Sequence, residues 1–144
     1  MKRQVLAAAV LVFAVVLQSS SPLLAGGLER AVKYTLYIGL NDKDTYQQEI
    51  STAAAEALVM EIALRYVDGF TITSARGVYT DDVGVVTVEN TLVCEFLFAS
   101  EEQILRIMDE ILAALNQNSI LVERQEVDCQ FYLGARMPAA AAAP

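Results

Sequence analysis

The sequence predicts an α+β domain, a four-stranded antiparallel sheet with two helices on one face, and three observations carry that prediction. Residues 34–40 alternate apolar and polar side chains, as a strand buried on one face does. Two longer segments repeat their apolar residues at helical spacing, each between strand-like stretches. Clusters of Asn, Asp, Gly and Ser separate these segments, with the chemistry of turns and helix caps.

Ahead of these elements stand Lys2 and Arg3, an unbroken apolar run from Val5 to Leu17, and Ser19-Ser20-Ser21-Pro22 before Ala25. This is the pattern of an export signal cut after Ala25. The run has 13 residues, short of the roughly 20 that a membrane-spanning helix needs. The expectation is a secreted or periplasmic chain that leaves the membrane after cleavage. Residues 1–25 are then the signal, 26–32 a lead-in, 33–133 one domain, and 134–144 an Ala/Pro tail without fixed structure.

The chain carries 10 basic and 18 acidic residues, a formal charge of −8. Every acid lies beyond Ala25, so loss of Lys2 and Arg3 leaves 8 basic against 18 acidic, or −10. Such a surface repels phosphate backbones and anionic headgroups, which argues against nucleic acid and anionic membranes as partners. There is no histidine and no tryptophan.

Tyr34, Leu36, Ile38 and Leu40 form the inner face of the first strand, with Thr35, Tyr37 and Gly39 outward. Asn41-Asp42-Lys43-Asp44 makes a turn, and Thr45 with Gln48 fits a capping box opening a helix from Tyr46 to Tyr66, with the stripe Ile50, Ala53, Ala57, Met60 and Leu64 on the sheet. Asp68-Gly69 closes that helix with a left-handed glycine. Phe70, Ile72 and Val78 mark the second strand's inner face; Thr80-Asp81-Asp82-Val83-Gly84 supplies the hairpin turn; Val88, Leu92, Cys94, Phe96 and Phe98 mark the third strand's inner face. Asn90 and Arg76 interrupt that pattern and should lie past the core edge. Ser100 with Gln103 is a second capping box, opening a helix striped by Ile104, Ile107, Met108, Ile111, Leu112 and Leu115 and ending at Asn116-Gln117-Asn118. In the last strand Ile120 and Val122 point inward, but so would Val127, Cys129 and Phe131. A β-bulge within Glu123–Glu126 would reconcile these opposite parities, and the polar residues suit an edge strand.

The order strand, helix, strand, strand, helix, strand is the ferredoxin-like βαββαβ pattern, in which right-handed crossovers set the first strand between the third and the fourth. Cys94 and Cys129 then sit about 10 Å apart across two strand spacings, beyond the roughly 7 Å that a disulfide tolerates. They are expected as two buried thiols.

One sheet face stays open, carrying Thr35, Tyr37, Thr71, Thr73, Tyr79, Glu89, Thr91, Val93 and Glu95. Tyr37, Tyr79, Glu89 and Thr91 are the candidate binding residues: a carboxylate flanked by hydroxyls and phenols can orient a small polar ligand. A solvated face whose threonines reflect strand propensity is the plainer alternative. Arg65 is better explained by the helix dipole than by an anion, and Asp42 and Asp44 lack the glycine and glutamate spacing of a calcium loop. Neither a metal nor a cofactor is expected, and no catalytic residue is assigned.

Arg65-Tyr66 followed by Asp68-Gly69-Phe70-Thr71, then Gly77 and Tyr79, Glu89 and Thr91, and finally Asp128-Cys129 resemble domain of unknown function 3574, a family of small exported bacterial proteins. The likeness spans about Tyr34 to Tyr132. The chain departs from the family at Tyr79, where tryptophan is usual, and at Leu64, where proline is usual. The resemblance implies an exported ferredoxin-like domain and no particular activity.

The resulting expectation is a non-enzymatic binding or interaction module for an unknown small ligand or protein, or a homodimer joined through the open face by Tyr37, Tyr79, Val93 and Leu97. The alternative is a small cofactor-free enzyme with Glu89 as general base and Tyr37 or Tyr79 as donor, which a concave pocket at Glu89 would favour.

Overall fold

Strict alternation of apolar and polar residues gives the central strand its place. β1 (Glu29–Gly39) turns Tyr34, Leu36 and Ile38 into the core and takes its neighbours from both sides. The computed structural model describes residues 27–80 and 83–132; the expected export signal and tail, with Asp81 and Asp82 of the hairpin turn, lie outside them. The element order is β1, α1 (Thr52–Ala63), β2 (Thr71–Thr80), β3 (Val86–Leu97), α2 (Glu101–Ala114) and β4 (Leu121–Cys129). The sheet order is β2-β3-β1-β4, with every neighbouring pair antiparallel, as the ferredoxin-like pattern requires. Leu92, Cys94 and Phe96 of β3 join the inner residues of β1 beneath Val59 and Ile62 of α1 and Ile104, Ile107 and Ile111 of α2.

α2 forms as its sequence foretells. The Ser100 side chain accepts from the Gln103 N–H at 3.2 Å, and the Gln103 side chain accepts from the Ser100 N–H at 2.8 Å, completing the capping box. Ile104, Ile107 and Ile111 are its buried stripe. The helix ends where Asn116 turns left-handed, at φ +49°.

α1 differs from its expectation. Thr45 does not cap it: Tyr46 stands at φ +58°, which a helix interior excludes, and Thr45 Oγ1 donates to Glu49. Residues 42–47 instead form a turn in which Asp42 Oδ1 accepts from the Asp44 and Thr45 N–H groups. Ser51 is the cap, accepting from the Ala54 N–H at 3.1 Å. The buried stripe is Ala55, Val59, Ile62 and Ala63, while Ile50, Met60 and Leu64 are exposed. The helix is apolar on nearly every side, so spacing alone leaves its rotation open. It closes at Leu64 in ordinary right-handed geometry, and Gly69 has no left-handed φ. Arg65, past the helix, pairs with Glu110 of α2, as does the Tyr66 hydroxyl.

β4 also differs. Its pairing with β1 runs unbroken from Tyr37↔Leu121 to Glu29↔Cys129, with no bulge. Val127 and Cys129 therefore lie on the open face, while Arg124, Glu126 and Asp128 take the helix side. β1 begins at Glu29, inside the expected lead-in, so this end of the strand pair runs past the helices. On the helix side of β4 Arg124, Glu126 and Asp128 are all exposed, and polar residues at an open edge need no bulge to escape the core. Arg30 meets Asp128 at 3.4 Å and Glu126 at 4.0 Å on that side. For the same reason Val88, near the hairpin end of β3, is exposed despite its inner parity. Phe98 leaves the strand at φ +63° and stacks on Phe131 rather than entering the core.

The two cysteines are free, on strands separated by β1 and on opposite faces of the sheet. Cys94 is buried and its thiol is pushed up to about 12 by desolvation and Glu56; Cys129 is only half-buried. None of the helices among the described residues is long and apolar enough to cross a membrane.

Candidate functional site

The open face is a grid set by strand pairing. One row runs Leu121, Tyr37, Val93, Thr73; the next runs Glu123, Thr35, Glu95, Thr71; in the other direction come Gly39, Thr91 and Ala75, then Glu89 beside Gly77. All four candidate residues point to this side, but they do not converge.

Glu89 and Thr91 form one group. The strands carry glycine at two places around them, and glycine inside a strand marks close approach of another group. A Cβ at position 39 would stand 2.5 Å from Glu89 Oε1, and one at 77 would stand 2.7 Å from Thr91 Oγ1. The Glu89 side chain passes Gly77 and lays its carboxylate over Gly39, where Oε2 accepts from the Asn41 N–H at 3.3 Å. Thr91 is only 7% exposed, and its Oγ1 is buried with no hydrogen-bond partner among the described residues. Tyr79 pairs with Thr87, diagonal to Glu89 and about 7–8 Å away by sheet geometry.

Tyr37 belongs to a second group. Its partner Val93 is four residues from Glu89 along β3, about 13 Å at strand rise. Its hydroxyl donates to Glu123 Oε2 at 3.2 Å. Beside it Lys33 Nζ donates to Glu95 Oε1 at 3.0 Å, over a Thr35 that is 4% exposed. The hydrogen bond and charge of Glu95 hold the Lys33 ammonium above its usual range; the bond to Glu123 raises the Tyr37 phenol, with desolvation adding to it. The Lys33–Glu95 ion pair and the Tyr37–Glu123 hydrogen bond tie neighbouring strands together here, so each of these polar groups has a partner.

Sequence reading missed Gly39, Asn41 and Gly77 as the residues that position Glu89, although glycines within strands were the available signal. Lys33 and Glu123 were missed because their role depends on which strand lies beside which.

A separate cleft of about 730 Å³ lies at the other end of the sheet, lined by Phe70, Leu97, Phe98, Cys129 and Phe131 among others, and Glu89 is not part of it. Among the described residues no group of three or more His, Cys, Asp or Glu side chains could hold a metal ion.

The family described as protein of unknown function (DUF3574) matches residues 33–131, and the chain belongs to that family. Among solved structures the chain is similar to a phage SAM lyase in complex with S-methyl-5′-thioadenosine, at 19% identity over 71% of this chain and 92% of that one, with a TM-score of 0.54. The phage SAM lyase in its apo state matches at 20% identity over 76% and 95%, with a TM-score of 0.52. GlnK of B. subtilis in complex with ATP gives 14% identity over 68% and 81%, with a TM-score of 0.45. Comparison with curated proteins gives no match. At these identities the likeness to the lyase shows the ferredoxin-like fold alone.

Proposed function

We propose that the chain is an exported binding module that works through the open face of its sheet, with a second copy of itself as the partner that the face suits. Export rests on the basic, apolar and small-residue order of residues 1–25. The observation that carries the binding role is the Glu89–Thr91 pair: a half-buried carboxylate with one donor from Asn41, next to a buried hydroxyl with none. A carboxylate offers about four lone-pair sites, and leaving buried polar atoms unmatched is costly, so this part of the face favours an incoming donor. The neighbouring row of Leu121, Tyr37 and Val93 supplies apolar area for a second sheet to cover.

Sedimentation over a concentration series tests this. The wild-type protein should associate as concentration rises, and Glu89→Gln should shift that association to higher concentration without changing the fold. A wild-type protein that stays monomeric throughout would overturn the self-association reading. General-base catalysis by Glu89 is the weaker reading, because the carboxylate lies on an open sheet and the cleft is elsewhere.

A further inference from the structure

The cleft at the far end of the sheet carries features that the sheet-face reading does not use. Its volume of about 730 Å³ falls within the roughly 300–1,000 Å³ range of small-molecule sites. Phe98 and Phe131 stack with ring centroids 5.8 Å apart, yet remain 53% and 77% exposed at its edge. Phe98 holds φ +63°, a backbone region in which a bulky side chain is strained, and such strain gathers at ligand clamps. Gln130 also lines the cleft, and its carbonyl oxygen Oε1 is buried without a hydrogen-bond partner among the described residues.

We propose that this cleft binds a planar aromatic molecule carrying an N–H donor, with the ring against Phe98 and Phe131 and the donor on Gln130 Oε1. Exposed phenylalanine faces gain from covering a flat ring, by area and by offset stacking. The amide oxygen supplies the polar contact that fixes orientation, since an unmatched buried acceptor gains most from a donor brought to it. Binding in this way requires the Gln130 side chain to turn so that its buried oxygen faces the cavity. Asp68 and Glu95 also line the cleft, so a neutral or cationic ring is favoured over an anionic one. The volume leaves room for a substituent beyond two fused rings.

Cys129 lines the cleft and reports its occupancy, while Cys94, fully buried, serves as the internal control. The experiment measures alkylation of Cys129 by iodoacetamide in the presence of indole or of benzofuran, which has the same shape but no N–H. Both should slow the reaction, indole at about three- to tenfold lower concentration, the worth of one hydrogen bond. Gln130→Leu should erase that preference while benzofuran still protects, and Gln130→Glu, which keeps an acceptor, should retain it. Phe131→Ala should weaken protection by both. Failure of both compounds to protect at millimolar concentration, equal protection in the wild-type protein, or a preference that survives Gln130→Leu would overturn the proposal.

Discussion

The two faces of β1 show how one strand can be finished on one side and left available on the other. On the helix side Leu36 and Ile38 are fully buried within a cluster of hydrophobic side chains. On the open side Thr35 is nearly as buried, but beside one ion pair and one hydrogen bond, while a few residues away Thr91 Oγ1 lacks a partner among the described residues. Burial alone therefore does not separate core from surface here. What separates them is whether the polar groups around a buried position are matched.

Substitutions sharpen this contrast. The largest effect belongs to Phe96→Ala: the ring is fully buried and stacks on Phe70 at 4.9 Å, so its loss should lower stability by about 3–5 kcal/mol in denaturant titration. On the open face Gly77→Ala should cost about 1–3 kcal/mol by overpacking, because the new Cβ meets the short, buried Thr91 side chain. Gly39→Ala should cost less, about 1 kcal/mol or below, since the Glu89 carboxylate it meets ends a flexible chain and can move aside. That variant should nevertheless reproduce the association defect of Glu89→Gln by displacing the carboxylate from Asn41. If Gly39→Ala proved as damaging as Phe96→Ala, the open face would have to be regarded as core.

Glu89→Gln should leave thermal stability within about 0.5 kcal/mol, because the amide oxygen can still accept from Asn41. The smallest effect concerns acid. Hydrogen bonds from Asn116, Asp44 and Thr45 hold the Asp42 carboxyl below its usual range. A carboxyl depressed in the folded state stabilises above its unfolded value, about pH 4, and that contribution is lost as pH falls through the folded value. Asp42→Asn should therefore flatten the acid limb of a stability-against-pH curve and lower the neutral and alkaline limbs by a constant amount, so that the two curves converge as the acid end is reached.

Much of this arrangement was legible in the sequence. α2 could be read in full because Glu101, Glu102, Arg106 and Asp109 stand opposite its isoleucine stripe, giving the helix a defined rotation. α1 could not, because Ala, Leu, Met and Val surround it and several rotations would bury equal apolar area. Its cap was misplaced for a related reason: Thr45 and Ser51 both have the right chemistry, and the choice falls to the turn at Asp42, which is held by Asn116 from the end of α2.

Reading the residues in order was enough for the element order, the inner face of β1, the inward Leu92, Cys94 and Phe96 of β3, the α2 cap and stripe, and a sheet with one face free of helices. These are local facts, written at spacings of two or four residues and fixed by backbone periodicity. Tertiary structure decided the rest. It set how far β1 and β4 run past the helices, so that no bulge was needed, and it laid Glu89 over Gly39 instead of beside Tyr37. It also brought Lys33, Glu95 and Glu123 together, and it formed the Phe98–Phe131 cleft from two segments more than thirty residues apart. The physical reason is that each of these depends on which strand lies against which and where the helical layer stops, and neither is encoded in the period of any single element.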